Sequence, residues 1–265
     1  MLIAQISDLH VRPDGILYAD QVPSNSMADA AVHHLNSLVP RPELVIITGD
    51  IVDQGSSEEY EVSRRILARL EIPYLVIPGN HDERRAFSRA FADHSYLPVG
   101  GGALNYQFDA HPVRIIALDS SVPGQHHGDI DPTSLTWLEQ TLADDSGPPT
   151  LLIMHHQPFA SGIPYLEEYR HFGADKIAKV IAGCPSIERV LCGHVHRLMT
   201  AQLGGVLVMS CPSTASQIAL RLDKKARPAS FMEPPGCLLH LWRPSGGFVS
   251  HLSPIGDYGP AMNFF

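Results

Sequence analysis

Five times along this chain a short apolar run stops abruptly and is followed within a few residues by side chains that ligate metals. Ile3 to Ile6 precedes Asp8 and His10, Leu44 to Ile47 precedes Gly49-Asp50, and Tyr74 to Ile77 precedes Asn80, His81 and Asp82. Leu151 to Met154 precedes His155 and His156, and Arg189 to Leu191 precedes His194 and His196. Apolar runs this short and this rich in β-branched residues read as strands buried on both faces of a sheet. One Gly-Asp at one strand end would be an ordinary turn. Repetition at five ends points to a single site lying beyond the sheet edge.

Asp50 is the expected centre of that site. Gly49 allows a backbone conformation that other residues resist, so the Asp50 side chain can turn past the end of its strand. Asp8 and His10 are one residue apart, as are His194 and His196, and on an extended chain each pair projects to one side. Adjacent His155 and His156 would point opposite ways, so one of them is expected to face the site. The Pro78-Gly79 turn aims Asn80 and His81 outward together. An amide carbonyl is a neutral ligand, and an imidazole beside it can donate to a phosphoryl oxygen or a leaving group.

The remaining segments supply a frame. Helices are expected from near Ser26 to about Leu38, with Ser26 and Asp29 as capping box, and from Ser57 to about Leu70, where Ser56 and Glu59 cap and Val62, Ile66 and Leu70 face inward. Others follow Asp82 through Phe87 and Phe91, open at Pro132 behind an Asp131 cap, and span about Asp175 to Ile181. Further strands are expected at Asn105–Phe108, Arg114–Leu118, Val206–Met209, Cys237–Trp242 and Phe248–His251. His33 and His34 read as solvated or packing histidines, His126 and His127 as surface-loop residues with the lining of a mouth as the alternative, and Asp119 as a turn residue. The loop-rich insert 159–173 follows a ligand strand and is a candidate substrate-facing wall.

Composition excludes several classes. A formal net charge of -9 without clusters of Lys and Arg argues against a nucleic-acid polymer or an anionic membrane as partner. No stretch reaches the roughly 20 apolar residues of a membrane span, and no signal peptide is evident, so cytoplasm is the expected location. Cys184, Cys192, Cys211 and Cys237 lack C-x-x-C spacing and read as buried free thiols. With no linker or repeat in 265 residues, one domain is expected. Its segment 221–265, ending in apolar residues, could contribute to contacts in a homo-oligomer.

Asp8, His10, Asp50, Asn80, His155, His194 and His196 form a mixed O and N donor set, too large for one tetrahedral zinc and suited to two ions sharing Asp50. Such ions lie roughly 3.5–4 Å apart and clamp the attacking and leaving oxygens of an in-line displacement. Two divalent cations outweigh the charge of Asp8, Asp50 and a bound hydroxide, leaving a positive centre for an anionic ester. The donors admit Mn, Fe, Zn or Co, mixed valence included.

In order, the blocks Asp8-Leu9-His10, Gly49-Asp50, Gly79-Asn80-His81-Asp82, His155-His156 and Gly193-His194-Val195-His196 resemble those of the calcineurin-like metallophosphoesterases. Residues 1 to about 220 are similar to the bacterial class III cyclic-nucleotide phosphodiesterase and glycerophosphodiesterase branch. The resemblance implies an α/β fold, a four-layer αββα sandwich with mixed sheets. It implies one ion on Asp8, His10, Asp50 and His196 and a second on Asp50, Asn80, His155 and His194. Substrate would meet Asn80, His81 and His196, and a small diester, a glycerophosphodiester or a 3',5'-cyclic nucleotide, would be hydrolysed by in-line attack of metal-bound hydroxide with Asp50, Asn80 and His81 as catalytic residues. Phosphomonoester hydrolysis and a non-catalytic scaffold on the same fold are the alternatives.

Three departures narrow the choice. Asp53 stands where purple acid phosphatases carry Tyr, so no tyrosinate colour is expected. Gln54 and Asp82 replace the Arg and Glu of Ser/Thr protein phosphatases, which disfavours a phosphoprotein. Ser216 stands where glycerophosphodiesterase relatives carry a second histidine, which leaves the exact substrate open.

Overall fold

The apolar runs are strands, sorted into two sheets whose facing surfaces share one core. The computed structural model describes residues 1–143 and 147–264. Chain order is β1 (Leu2–Ile6), α1 (Ser24–Ser37), β2 (Leu44–Thr48), α2 (Ser57–Leu67), β3 (Tyr74–Ile77), α3 (Arg84–Ala90), β4 (Tyr106–Ala110) and β5 (Val113–Leu118). There follow α4 (Pro132–Thr141), β6 (Thr150–Met154), α5 (Ala174–Ala182), β7 (Ile187–Cys192), β8 (Met199–Leu203), β9 (Val206–Ser210), β10 (Gln217–Ile218), β11 (Ser230–Phe231), β12 (Gly236–Arg243) and β13 (Gly247–Pro254). A 3-10 turn, Pro164–Glu168, lies in the insert after β6.

The first sheet runs β13-β12-β1-β2-β3, with β1, β2 and β3 parallel and β12 antiparallel to β1. The second runs β4-β5-β6-β7-β9-β8, parallel through its middle and antiparallel at both edges. Side chains alternate faces along a strand, and the burial follows that alternation. Ile115, Ala117, Leu151, Ile153 and Leu191 join the core of the first sheet, whereas Ile116, Leu118, Leu152, Met154 and Val190 meet Leu138 of α4 and Ile177 and Ile181 of α5. On the other side α1, α2 and α3 cover the first sheet with Leu35, Ile66 and Phe87. Helices outside and mixed sheets inside make the four-layer αββα sandwich. Each aliphatic side chain fully buried between layers contributes about 1.5–3 kcal/mol.

Local rules set most boundaries. The Ser56–Glu59 capping box forms in both directions, and Asp131 accepts from Thr133 and Ser134 N–H ahead of Pro132. The second helix ends at Leu67, where Arg69 and Leu70 close tight turns onto Ile66 and Leu67. The Ser26–Asp29 box does not form. Ser26 Oγ donates to Pro23 O, Asp29 pairs with Arg69, and α1 starts at Ser24 without a side-chain cap. Strand β8 was not foreseen from the sequence, although Gly204-Gly205, both at positive φ, makes the two-residue hairpin turn into β9. The short strands β10 and β11 also lacked a sequence signal. Beyond residue 220 the chain returns to the first sheet, and β12 pairs with β1 along Leu2 to Gln5.

Candidate metal centre

At the carboxyl ends of β1, β2, β3, β6 and β7 the two sheets deliver their polar side chains to one cavity, the usual ligand position in such sheets. The delivery differs from the extended geometry expected from the spacing. Asp8, His10, Asp50, His194 and His196 all have left-handed backbone, with φ of 56°, 47°, 49°, 67° and 48°. Each pair reaches one side because the chain turns sharply at both residues after its strand has ended. Asp and His tolerate this region better than most side chains, at a cost on the order of 1 kcal/mol each. Backbone bonds hold the turns: Asp8 N–H donates to Gly49 O (3.1 Å), His10 N–H to Asp50 O (3.0 Å) and Gly193 N–H to His155 O (2.9 Å). Gly79 is required on other grounds, since a β-carbon there would overlap the Asp50 carboxylate.

The side chains converge in two groups around Asp50. On one side His10 Nε2 lies 3.0 Å from His196 Nε2, His196 Nε2 lies 3.5 Å from Asp8 Oδ1, and His10 Nε2 is 3.9 Å from Asp50 Oδ2. On the other, His155 Nε2 lies 3.2 Å from Asp50 Oδ2 and 3.1 Å from Asn80 Oδ1, with the His194 ring 5.2 Å from that of His155. The Asp8 carboxylate accepts from His194 N–H, and Asp50 Oδ1 accepts from His81 N–H at 2.9 Å.

These residues fit metal. His196 Nδ1 donates to Ser216 O and His155 Nδ1 to Thr48 O, both at 2.8 Å, so each turns Nε2 inward. Two imidazole Nε2 atoms at 3.0 Å repel unless a proton or cation lies between them. His194 Nε2 is buried without a hydrogen-bond partner among the described residues. Burial pushes His10, His194 and His196 down, His196 to about 4, which keeps all three as neutral lone-pair donors.

The carboxylates diverge. Burial lifts Asp8 to about 6, whereas at Asp50 burial is outweighed by His155 and then His81, and the group stays well below the usual carboxylate range. Burial likewise opposes protonation of His155 and His81, but Asp50 holds His155 up to about 9, and Asp50 with Asp53 holds His81 up to about 10.

His155 and His156 do not point opposite ways as the spacing implies: their rings stand 4.9 Å apart and both border the His194 ring, at 5.2 and 4.6 Å. The His156 ring meets Ser120 Oγ through Nδ1 (2.9 Å) and the His126 carbonyl through Nε2 (3.2 Å). Asp119 closes a turn, accepting from Leu104 and Ser121 N–H. His34 is remote and bonds Ser253 Oγ. Three participants, Asp82 of the ligand-type residues among them, take parts other than the sequence assigns them. Asp53 takes Arg12 and Gln54 at 2.9 Å and lies 3.4 Å from His81 Nδ1, while its carbonyl accepts from that nitrogen at 2.7 Å. Asp82 accepts from Gly79 N–H, Ile51 N–H and Tyr60 O–H, which fixes the Asn80-His81 turn. His126 belongs to the site instead of an idle surface loop, because the loop folds back over β3 and places its Nδ1 3.2 Å from Asn80 Nδ2. The cavity, about 420 Å³, is walled by Tyr18, His126, Tyr165 and Tyr169 opposite His10, Asp50, Asn80, His81, His194 and His196. The 159–173 insert thus faces the cavity through its two tyrosines.

The chain is similar to several known proteins. A probable glycerophosphodiester phosphodiesterase GpdQ of Arcobacter nitrofigilis is 34% identical over 266 residues, covering 100% of this chain and 97% of the relative. The 3',5'-cyclic adenosine monophosphate phosphodiesterase CpdA of Escherichia coli K12 is 32% identical over 175 residues, 66% of this chain and 62% of that one. Among solved structures, a dimetal phosphatase from Danio rerio superposes with a TM-score of 0.66 at 14% identity, over 97% of this chain and 99% of that one, which speaks to the fold. Residues 1–198 match the calcineurin-like phosphoesterases, and the chain belongs to that family of divalent-metal proteins.

Proposed function

We propose that this chain is a metal-dependent phosphodiesterase for small diesters, with two ions at the strand ends. One sits on Asp8, His10, Asp50 and His196, the other on Asp50, Asn80, His155 and His194. The observation that carries the reading is the meeting of these side chains around Asp50 from two sheets. The relatives' names, a glycerophosphodiester and a cyclic-nucleotide phosphodiesterase, support a diester. Bound cations would supply positive charge for the phosphate oxygens and lower the pKa of the attacking water.

The chain's own residues orient and protonate. Asn80, His81 and His196 line the cavity and receive the phosphate. Against burial, Asp50 and Asp53 hold His81 up to about 10 and so doubly protonated. It gives Nδ1–H to the Asp53 carbonyl and keeps Nε2–H to donate to the phosphate or to the departing alcohol oxygen. The donor set accepts Mn, Fe, Zn or Co.

Four buried free cysteines fit a reducing compartment, and we place the protein in the cytoplasm. No helix among the described residues is long and apolar enough to cross a membrane. We also infer a single domain that forms a homo-oligomer through its segment 221–265, where Tyr258, Met262 and Phe264 are exposed.

Metal analysis with an ester panel tests the function. Purified protein is expected to hold two equivalents of metal and to cleave bis(p-nitrophenyl) phosphate faster than p-nitrophenyl phosphate. Full loading without turnover of any ester overturns the reading, and faster monoester cleavage makes the protein a phosphatase. Rates on glycerophosphodiesters and 3',5'-cyclic AMP then rank the two substrate classes.

A further inference from the structure

Asn80 stands apart from the other ligand candidates. The remaining six are buried, and five of them are pinned by left-handed backbone, whereas Asn80 is half-buried in the cavity wall and has ordinary backbone. Its side chain also has two unlike ends. Only Oδ1 can ligate a cation, while Nδ2 carries two hydrogens and can only donate. Something outside the strand-end frame must decide which end faces Asp50.

His126 makes that choice. Asn80 Nδ2 lies 3.2 Å from His126 Nδ1, and since the amide nitrogen donates, the imidazole accepts. While His126 Nδ1 is unprotonated, a flipped amide would set its carbonyl oxygen against the same lone pair, losing a hydrogen bond and adding repulsion. In the observed orientation Oδ1 points instead toward His155 Nε2, at 3.1 Å. His126 is in turn anchored. Its carbonyl accepts from His156 Nε2 at 3.2 Å, and His156 is fixed by two contacts with Ser120 Oγ, at 2.9 and 3.1 Å. The His126 ring also stands edge-on to Tyr169, 5.9 Å between centroids. A continuous chain of contacts therefore runs from the ends of β5 and β6 to the loop after β3.

We propose that His126 is a positioning residue that orients the Asn80 amide toward the ion on the Asp50, His155 and His194 side. The proposal rests on the reading of Asn80 as a metal ligand, and the experiment separates the two. Mn2+ binding by the metal-stripped full chain is measured calorimetrically, with electron paramagnetic resonance reporting whether two ions sit as a coupled pair. His126→Ala is expected to weaken one equivalent about tenfold, the low end for residues that orient ligands, because His126 is open to solvent. The other equivalent stays at wild-type affinity, and the coupled signal fades at low metal. His126→Asn, which offers an acceptor oxygen in the place of Nδ1, is expected to restore most of the loss. Asn80→Ala should weaken the same equivalent at least as much.

Wild-type binding by His126→Ala, alongside a loss in Asn80→Ala, overturns the role of His126 and leaves Asn80 a ligand. Wild-type binding by Asn80→Ala overturns the ligand reading and the proposal with it. Equal weakening of both equivalents by His126→Ala, unrelieved in His126→Asn, means a general structural role and also overturns it.

Discussion

At the strand ends Asp8, His10, Asp50, His194 and His196 are buried on left-handed backbone, whereas across the same cavity Tyr18, Tyr165, Tyr169 and His126 come from loops and a 3-10 turn and are half-buried or exposed. The first group is held by bonds between strands and by close packing, such as that of Gly79 on Asp50. The second is held by a few side-chain contacts, including Tyr165 with Tyr169 at 5.3 Å and Tyr18 stacked on His10 at 4.3 Å. Such a division suits a phosphodiesterase. Metal geometry tolerates little error, while the alcohol portions of the substrate vary and can be met by a surface that changes without disturbing the ions.

Substitutions can break this contrast if it is wrong. The largest effect is expected at its centre, where Asp50→Ala removes the carboxylate common to both ligand groups. Diester turnover should fall on the order of 10³-fold, with bound metal dropping below two equivalents by elemental analysis. Turnover within tenfold of wild type would mean that Asp50 does not bridge. Next comes Gly79→Ala, whose methyl meets the Asp50 carboxylate; urea unfolding should report a loss of about 1–3 kcal/mol together with weaker metal binding.

The wall responds to acid. Burial lowers His171, in the insert, to about 4, below the ordinary 6.5, so the unfolded chain binds the extra proton across that window. The contribution is fully present above pH 6.5 and is lost as pH falls toward 4. Relative to His171→Gln, the metal-free wild type should lose on the order of 1 kcal/mol per pH unit there, as read from urea titrations at several pH values. A constant difference between the two proteins would show that His171 titrates normally. The smallest effect belongs to Tyr169→Leu, expected to raise KM a few-fold, roughly the 0.5–1.5 kcal/mol of one aromatic contact, with kcat little changed. A fall in kcat with KM unchanged would move Tyr169 from the wall into the chemistry.

The cradle was legible in the sequence because each ligand follows directly on an apolar run, so adjacency in the chain encodes adjacency in space. Even there the spacing argument reached the correct side for a different reason: Asp8 and His10 share a direction through two left-handed turns instead of one extended segment. Asp53 was read only as the absence of a tyrosine, since nothing local reveals that its carboxylate would meet Arg12 from another loop. His126, eight residues beyond the end of β5 and amid Pro, Gly and Gln, carries no periodic signal. Its role depends on loop 119–131 folding back over β3, a long-range event. Strand β8 is a different case, because its signal, the Gly204-Gly205 hairpin turn, lies in the sequence itself.

The pairing of β12 with β1 bears on how the protein is made. During synthesis β1, carrying Asp8 and His10, emerges long before β12, and one of its edges is covered only after residues 236–243 have left the ribosome. Until then an apolar strand stands open to other nascent chains, a hazard shared by proteins whose terminal segments meet late. Metal insertion is therefore expected to follow the emergence of β12, and a nonsense mutation between His196 and β12 would yield an aggregating fragment despite encoding every ligand.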